Sequence, residues 1–241
     1  MFGRMVSLIE ADPSQYDPYF NNTVLLLIFE QTLTDDSPKV QTVSTSTVLY
    51  STSTVKFGTA SYAFSYGPSW LNVANTSSFY FGTGDFTIET WINLNTGITW
   101  GSGNVAVFDI SQQQNGINGG PSVFLLTTSS RTTVSSYQVG YYDNTAIGSV
   151  FNPTVLPTGQ WFHICTGRQG GTVYVGVNGI LSNLGTSTKN WFPYNVKIRQ
   201  DGYNENGYTA FFDEFRVTSG VWRYGTGSSY PVPNYRFPRQ Q

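Results

Sequence analysis

Gly84-Asp85-Phe86-Thr87-Ile88-Glu89-Thr90-Trp91-Ile92-Asn93-Leu94 is the stretch whose reading decides the fold. Successive side chains of a strand point to opposite faces. Phe86, Ile88, Thr90, Ile92 and Leu94 therefore share one face, and Thr87, Glu89, Trp91 and Asn93 the other. Two later segments answer it. Trp161 to Arg168 and Thr172 to Val177 are strands joined through Gly170-Gly171, and Asn178-Gly179 follows. That pair favours a tight type I′ hairpin turn, because both central residues need positive φ. Phe211-Phe212-Asp213-Glu214-Phe215-Arg216-Val217 supplies a closing strand.

Working outward, Val24 to Phe29 is a continuous apolar run of strand length, expected for a strand covered on both faces. Thr34-Asp35-Asp36-Ser37-Pro38 makes a turn, and Val40 to Phe57 reads as two strands of a meander. Gly58–Phe64, Trp70–Val73, Val105–Ile110, Val123–Thr128, Val134–Tyr142, Val196–Arg199 and Tyr208–Val217 read as further strands. No segment carries a helical period. Many short strands with regular turn signals predict an all-β protein, an antiparallel two-sheet β-sandwich over residues 23–241. Residues 1–22 differ: Asp12-Pro13, Asp17-Pro18 and Asn21-Asn22 are breaker signals. Mixed with Tyr16, Tyr19 and Phe20, they predict an extended N-terminal arm that lies on its own domain or on a neighbouring subunit. The tail from Ser228 carries Pro231, Pro233 and Pro238, and each proline removes a ladder donor, so it is no central strand.

Charged residues are 11% of the 241, less than half the typical ~25%, while aromatics reach 16%. That is the composition of a sheet protein. A net charge of −2 gives no basis for nucleic-acid binding. The longest apolar run is far short of the ~20 residues a membrane-spanning helix needs. After Arg4 the apolar residues are interrupted by Ser7, Glu10 and Asp12, which predicts no secretory leader and synthesis in a cytoplasm. Cys165 is alone, so no internal disulfide forms.

The search for catalytic chemistry is negative. Glycoside hydrolysis needs two carboxyl groups flanking the bond, roughly 5 to 9.5 Å apart. Only five glutamates exist, and the sole Glu-x-Asp, Glu10-Ala11-Asp12, runs into Pro13. Asp213 and Glu214 are adjacent, so on a regular strand they face opposite ways. His163 and Cys165 share a strand face but sit about 6.6 Å apart along it, beyond the reach that activates a thiolate. Gly82-Thr83-Gly84 leads into a strand and not into a helix that would cradle phosphate. For binding, the candidates are Trp100, in a Gly-rich loop, and Trp191, after Lys189-Asn190; an exposed tryptophan stacks on a sugar or anchors a protein contact.

Taken in order, these segments resemble a known family. An apolar opening strand precedes Asp35-Asp36 and Ser37-Pro38, and Lys56-Phe57-Gly58-Thr59-Ala60-Ser61 follows. Asp85 to Trp91, the tryptophan-led hairpin Trp161–Gly179, Asp213 to Val217 and Val221-Trp222-Arg223-Tyr224 complete the series. The combination resembles the concanavalin A-like lectin/glucanase domain in its laminin G-like form, over about residues 23–238. The resemblance implies a jelly-roll sandwich that displays binding surfaces far more often than it performs chemistry. It also implies calcium as the one cofactor to consider, held near the opening turn and closing strand by Asp35, Asp36 and Asp213. Asp17-Pro18-Tyr19-Phe20 and the Arg-Tyr ending look most like versions in tailed-bacteriophage structural proteins. That implies a non-enzymatic, homo-oligomeric virion component, a capsid decoration, fibre or tail-associated protein docked on other virion subunits. The alternative is a carbohydrate-binding module for a cell-surface polysaccharide. Neither reading involves nucleic acid or a membrane.

Overall fold

Phe86–Leu94 is a nine-residue strand with every side chain buried, the centre of the larger of two sheets. The computed structural model describes residues 16–47, 49–65, 69–74, 76–95, 104–110, 121–127, 134–141, 150–152, 156–192, 195–199 and 208–239. Within these lie β1 (Thr23–Leu27), β2 (Val43–Thr45), β3 (Tyr50–Ser51), β4 (Ser61–Phe64), β5 (Leu71–Val73), β6 (Phe86–Leu94), β7 (Asn104–Asp109) and β8 (Pro121–Thr127). β9 (Val134–Tyr141), β10 (Val150–Asn152), β11 (Trp161–Gln169), β12 (Thr172–Val177), β13 (Ile180–Thr186), β14 (Val196–Ile198) and β15 (Ala210–Ser219) follow. The first sheet runs β13-β12-β11-β6-β15-β4-β3, with β1 also on β15; the second runs β10-β9-β8-β7-β14-β5-β2. All strand pairs are antiparallel.

The alternation in β6 is realised as expected. Phe86, Ile88, Ile92 and Leu94 enter the core between the sheets, with Phe162 and Ile164 of β11 and Val175 of β12. Asn178 (φ 45) and Gly179 (φ 87) make the β12–β13 turn in the left-handed region, which asparagine tolerates and glycine, without a Cβ, enters freely. Two expectations are corrected. The Val40–Phe57 meander is two short strands in different sheets, β2 on β5 and β3 on β4. In β15 the register shifts between Asp213 and Arg216, with Glu214 at φ 55, so strict alternation is lost there.

The other face of the first sheet is also buried. Trp222, Tyr224, Tyr230 and Val232 of the C-terminal segment pack on Cys165, Tyr174 and Leu181, and Phe237 packs on Leu26 and Ile28. This explains why β1 is apolar on both faces. Gly167 and Gly176 make the fit: a Cβ at either would lie 2.5 Å from the Trp222 or Tyr230 ring.

Candidate functional site

Glu89 points away from the core into this second layer, between Cys165 and Arg216 in register. Arg216 donates from Nε to its Oε1 at 2.8 Å, Tyr224 donates to Oε2, and His163 Nε2 lies 3.3 Å from Oε2. Burial would raise the Glu89 carboxyl; the guanidiniums of Arg216 and Arg223 and the contact with His163 outweigh it and hold it well below the carboxylate range. Burial likewise keeps His163 neutral, and its Nδ1 is 2.9 Å from the Tyr230 hydroxyl. Asp17 enters from the arm, accepting from Arg223 Nη1 and Nη2 at 2.8 Å and from Arg216 Nη1 at 3.2 Å. Every one of these groups is fully or nearly fully buried. The network therefore clamps arm and tail to the sheet, and no substrate reaches Glu89. Cys165 bonds in the same layer, and burial pushes its thiol well up.

The carboxylates expected to hold calcium are placed apart in function. Asp35 accepts from the backbone N–H groups of Leu26, Ser37 and Gln41 and from Ser37 Oγ, at 2.6 to 2.9 Å, and so organises its own turn. Asp36 pairs with Arg239 at 3.5 Å. Asp213 accepts from the Lys56 and Phe57 N–H groups through Oδ2, while Oδ1 is buried without a hydrogen-bond partner. Among the described residues no group of three His, Cys, Asp or Glu side chains is placed to hold a metal ion. Because of the β15 bulge, Asp213 and Glu214 are both buried and both feel Arg236; burial pushes each up to about 7. The expectation that they face opposite ways is corrected by that bulge.

Trp191 is corrected too. It is 1% exposed, edge-on to Phe86 and beneath the Arg168 guanidinium at 4.3 Å, so it offers no ring to a ligand. Arg168 in turn donates to the Gly82 and Gly84 carbonyls, which gives that glycine turn a structural role. Trp100 lies outside the described residues.

Among the described residues the exposed aromatics are Tyr16, Tyr19, Tyr80, Phe192 and Tyr235. Tyr80 is 47% exposed between buried Phe79 and Phe81, its hydroxyl donating to Asn190 Oδ1 at 3.0 Å and its ring 5.8 Å from exposed Phe192. It borders a polar hollow of about 380 Å³ lined with Asn21, Asn22, Lys39, Ser77 and Ser78. Sequence reasoning missed it; the only signal is Phe79-Tyr80-Phe81 itself, where the middle ring of three must turn outward. A second groove, about 410 Å³, lies between arm and tail, where Tyr16, Tyr19 and Tyr235 are exposed and Arg223 and Asp17 form the floor. Phe20, the third arm aromatic, is half-buried against Leu26, Ile28 and Phe237.

The two antiparallel sheets pack as a concanavalin A-like sandwich. Residues 67–222 match the laminin G-like model described as concanavalin A-like lectin/glucanases superfamily, and the chain belongs to that superfamily. No curated protein sequence matches it. Among solved structures it is similar to the binding domain of botulinum neurotoxin DC in complex with SialylT, at 13% identity and TM-score 0.59, covering 84% of this chain and 49% of that one. Similar too is botulinum neurotoxin type C, described as entering cells through two ganglioside molecules, at 14% identity and TM-score 0.62, covering 84% and 49%. Domain 4 of AbnA, an extracellular GH43 arabinanase from Geobacillus stearothermophilus solved with arabinotriose, matches at 13% identity and TM-score 0.59, covering 87% and 94%. The chain spans about half the length of the neurotoxin chains. At these identities the likeness is one of fold.

Proposed function

We propose that the chain is a non-catalytic glycan-recognising module whose sugar-binding surface is the hollow beside Tyr80. The observation that carries this is Tyr80 itself: a half-exposed ring between two buried phenylalanines, oriented by Asn190 and set next to serine hydroxyls and asparagine amides. An aromatic face accepts the apolar side of a pyranose, and nearby polar groups pair with its hydroxyls. Ligands named for fold neighbours, gangliosides and arabinotriose, support the reading. The burial of Glu89 supports the absence of hydrolysis. A glycan array with the whole chain and with Tyr80→Ala tests it. Binding lost in the variant is expected; release of reducing sugar by the parent chain would sink the non-catalytic reading.

A second reading has its own observation. Tyr16, Tyr19 and Tyr235 stand exposed around a groove whose floor is locked by Asp17, Arg216 and Arg223. This is a rigid aromatic surface of the kind that anchors protein contacts. We assign it to docking on capsid or tail subunits, or on further copies of this chain, in a tailed-phage virion. The two readings are compatible, since a decoration or fibre protein can also bind host-surface glycans. Loss of incorporation into particles by a Tyr16→Ala, Tyr19→Ala double variant is the test, and incorporation at full occupancy would remove it.

A further inference from the structure

The hollow beside Tyr80 has a charge asymmetry that narrows its ligand. Among the described residues of its lining Lys39 is the one charged side chain, and there is no carboxylate. Lys39 is exposed and makes no ion pair among the described residues. We propose that the hollow binds an acidic sugar residue, its ring on Tyr80 and its carboxylate on the Lys39 ammonium. This rests on the glycan-recognising reading above.

Three linked features hold the two turns in place. First, Asp35 fixes the turn that carries Lys39, accepting from Ser37 N and Oγ and from Gln41 N. The Ser37 hydroxyl then accepts from Lys39 N at 3.2 Å. Second, Gln41 bridges this turn to the one carrying Tyr80. Its Oε1 accepts from Thr76 Oγ1 at 3.1 Å, and its Nε2 donates to Val24 O at 3.2 Å. Tyr80 N in turn donates to Ser77 O at 3.2 Å. Third, Val40 sits at φ 48 with its side chain 75% exposed. A β-branched residue avoids that conformation, and such strain persists only where the surroundings over-determine it. The buried carboxylate of Asp35 supplies that determination. The outcome is a lysine and a phenol presented on two turns tied to each other, so the backbone under both is ordered in advance and only the Lys39 side chain is left to be ordered on binding.

Calorimetric titration of the whole chain with sialyllactose, trigalacturonate and neutral lactose decides the assignment. An acidic glycan should bind at least about tenfold tighter than lactose, as expected for one charge-assisted hydrogen bond. Lys39→Gln should remove that advantage, Lys39→Arg should keep most of it, and Tyr80→Ala should weaken every ligand about tenfold or more. Both side chains are exposed, so the variants keep the fold, which melting curves verify. Equal affinity for acidic and neutral glycans, dependent on Tyr80, overturns the acidic assignment and leaves the glycan reading standing. Acidic-glycan binding that survives both Lys39→Gln and Tyr80→Ala overturns the site. Failure of all three ligands, and of a broad array, overturns both this proposal and the reading it rests on.

Discussion

Arg216 holds Glu89 through two nitrogens, Nε and Nη2, each 2.8 Å from Oε1, while its ring-facing side lies 3.9 Å from the Phe237 centroid. One guanidinium thereby joins the central strand to the C-terminal segment. A buried pair of this kind is weak support for net stability, but removing one partner leaves the other charge buried and uncompensated, at a cost of about 3–5 kcal/mol. Glu89→Gln should destabilise the fold by that amount in urea unfolding. A loss below about 1 kcal/mol would mean that water reaches the site.

Acid should act on the same group. The folded-state Glu89 lies below its ordinary value of 4.5, so its contribution is present above 4.5 and is lost as pH falls through the folded value. Asp213 runs the other way. Pushed up to about 7 from 3.8 by burial, it favours folding most below 3.8 and loses that contribution as pH rises through about 7. Asp213→Asn keeps an oxygen for the Lys56 and Phe57 N–H groups without the buried charge. It should raise the melting temperature at pH 8 by about 2–4 °C, corresponding to about 1 kcal/mol, and do little at pH 4. An unchanged or lower melting temperature at pH 8 would show that Asp213 is stably ionised in the fold.

Asp17 ties the arm to the sheet through Arg216 and Arg223. Deleting residues 1–22 removes the nearest carboxylate of Arg223 and one partner of Arg216, and should cost about 3 kcal/mol or more. Asp17→Asn in the whole chain should reproduce most of that loss. Parental stability of Asp17→Asn would show that the Asp17 fork carries no weight.

Calcium should not alter stability. The Asp35 oxygens are engaged by the turn, and Asp36 by Arg239. Melting curves in excess chelator and in millimolar calcium should superimpose; a ligand at a hundredfold excess over its dissociation constant would shift stability by about 2.7 kcal/mol. A clear upward shift with calcium would restore the metal.

Trp191→Ala should behave as a core truncation, costing about 3–5 kcal/mol. At a temperature where the variant remains folded, glycan binding should match the parent. Selective loss of binding without loss of stability would return Trp191 to the ligand surface.

Much of the fold is local, and it was legible. The period-two pattern of Phe86–Leu94, the Asn178-Gly179 turn and the doubly apolar Val24–Phe29 run each follow from one segment's own sterics and polarity. They determined an antiparallel sandwich and the places where its hairpins turn. Three assignments were not local. The bulge at Asp213–Glu214 depends on where β15 must switch neighbours from β4 to β1, and Trp191 is buried by a guanidinium more than twenty residues earlier in the chain. Lys39 and Tyr80 lie on turns joined through Gln41 and Thr76. The second layer, too, belongs to tertiary structure: the tail is no central strand and touches the ladder only by the Ser229–Ile180 bridge among the described residues, yet side-chain packing laid it across the sheet's face. A strand's sequence says which residues share a face, but only the chain that arrives there decides whether that face meets water, a ligand or its own C-terminus.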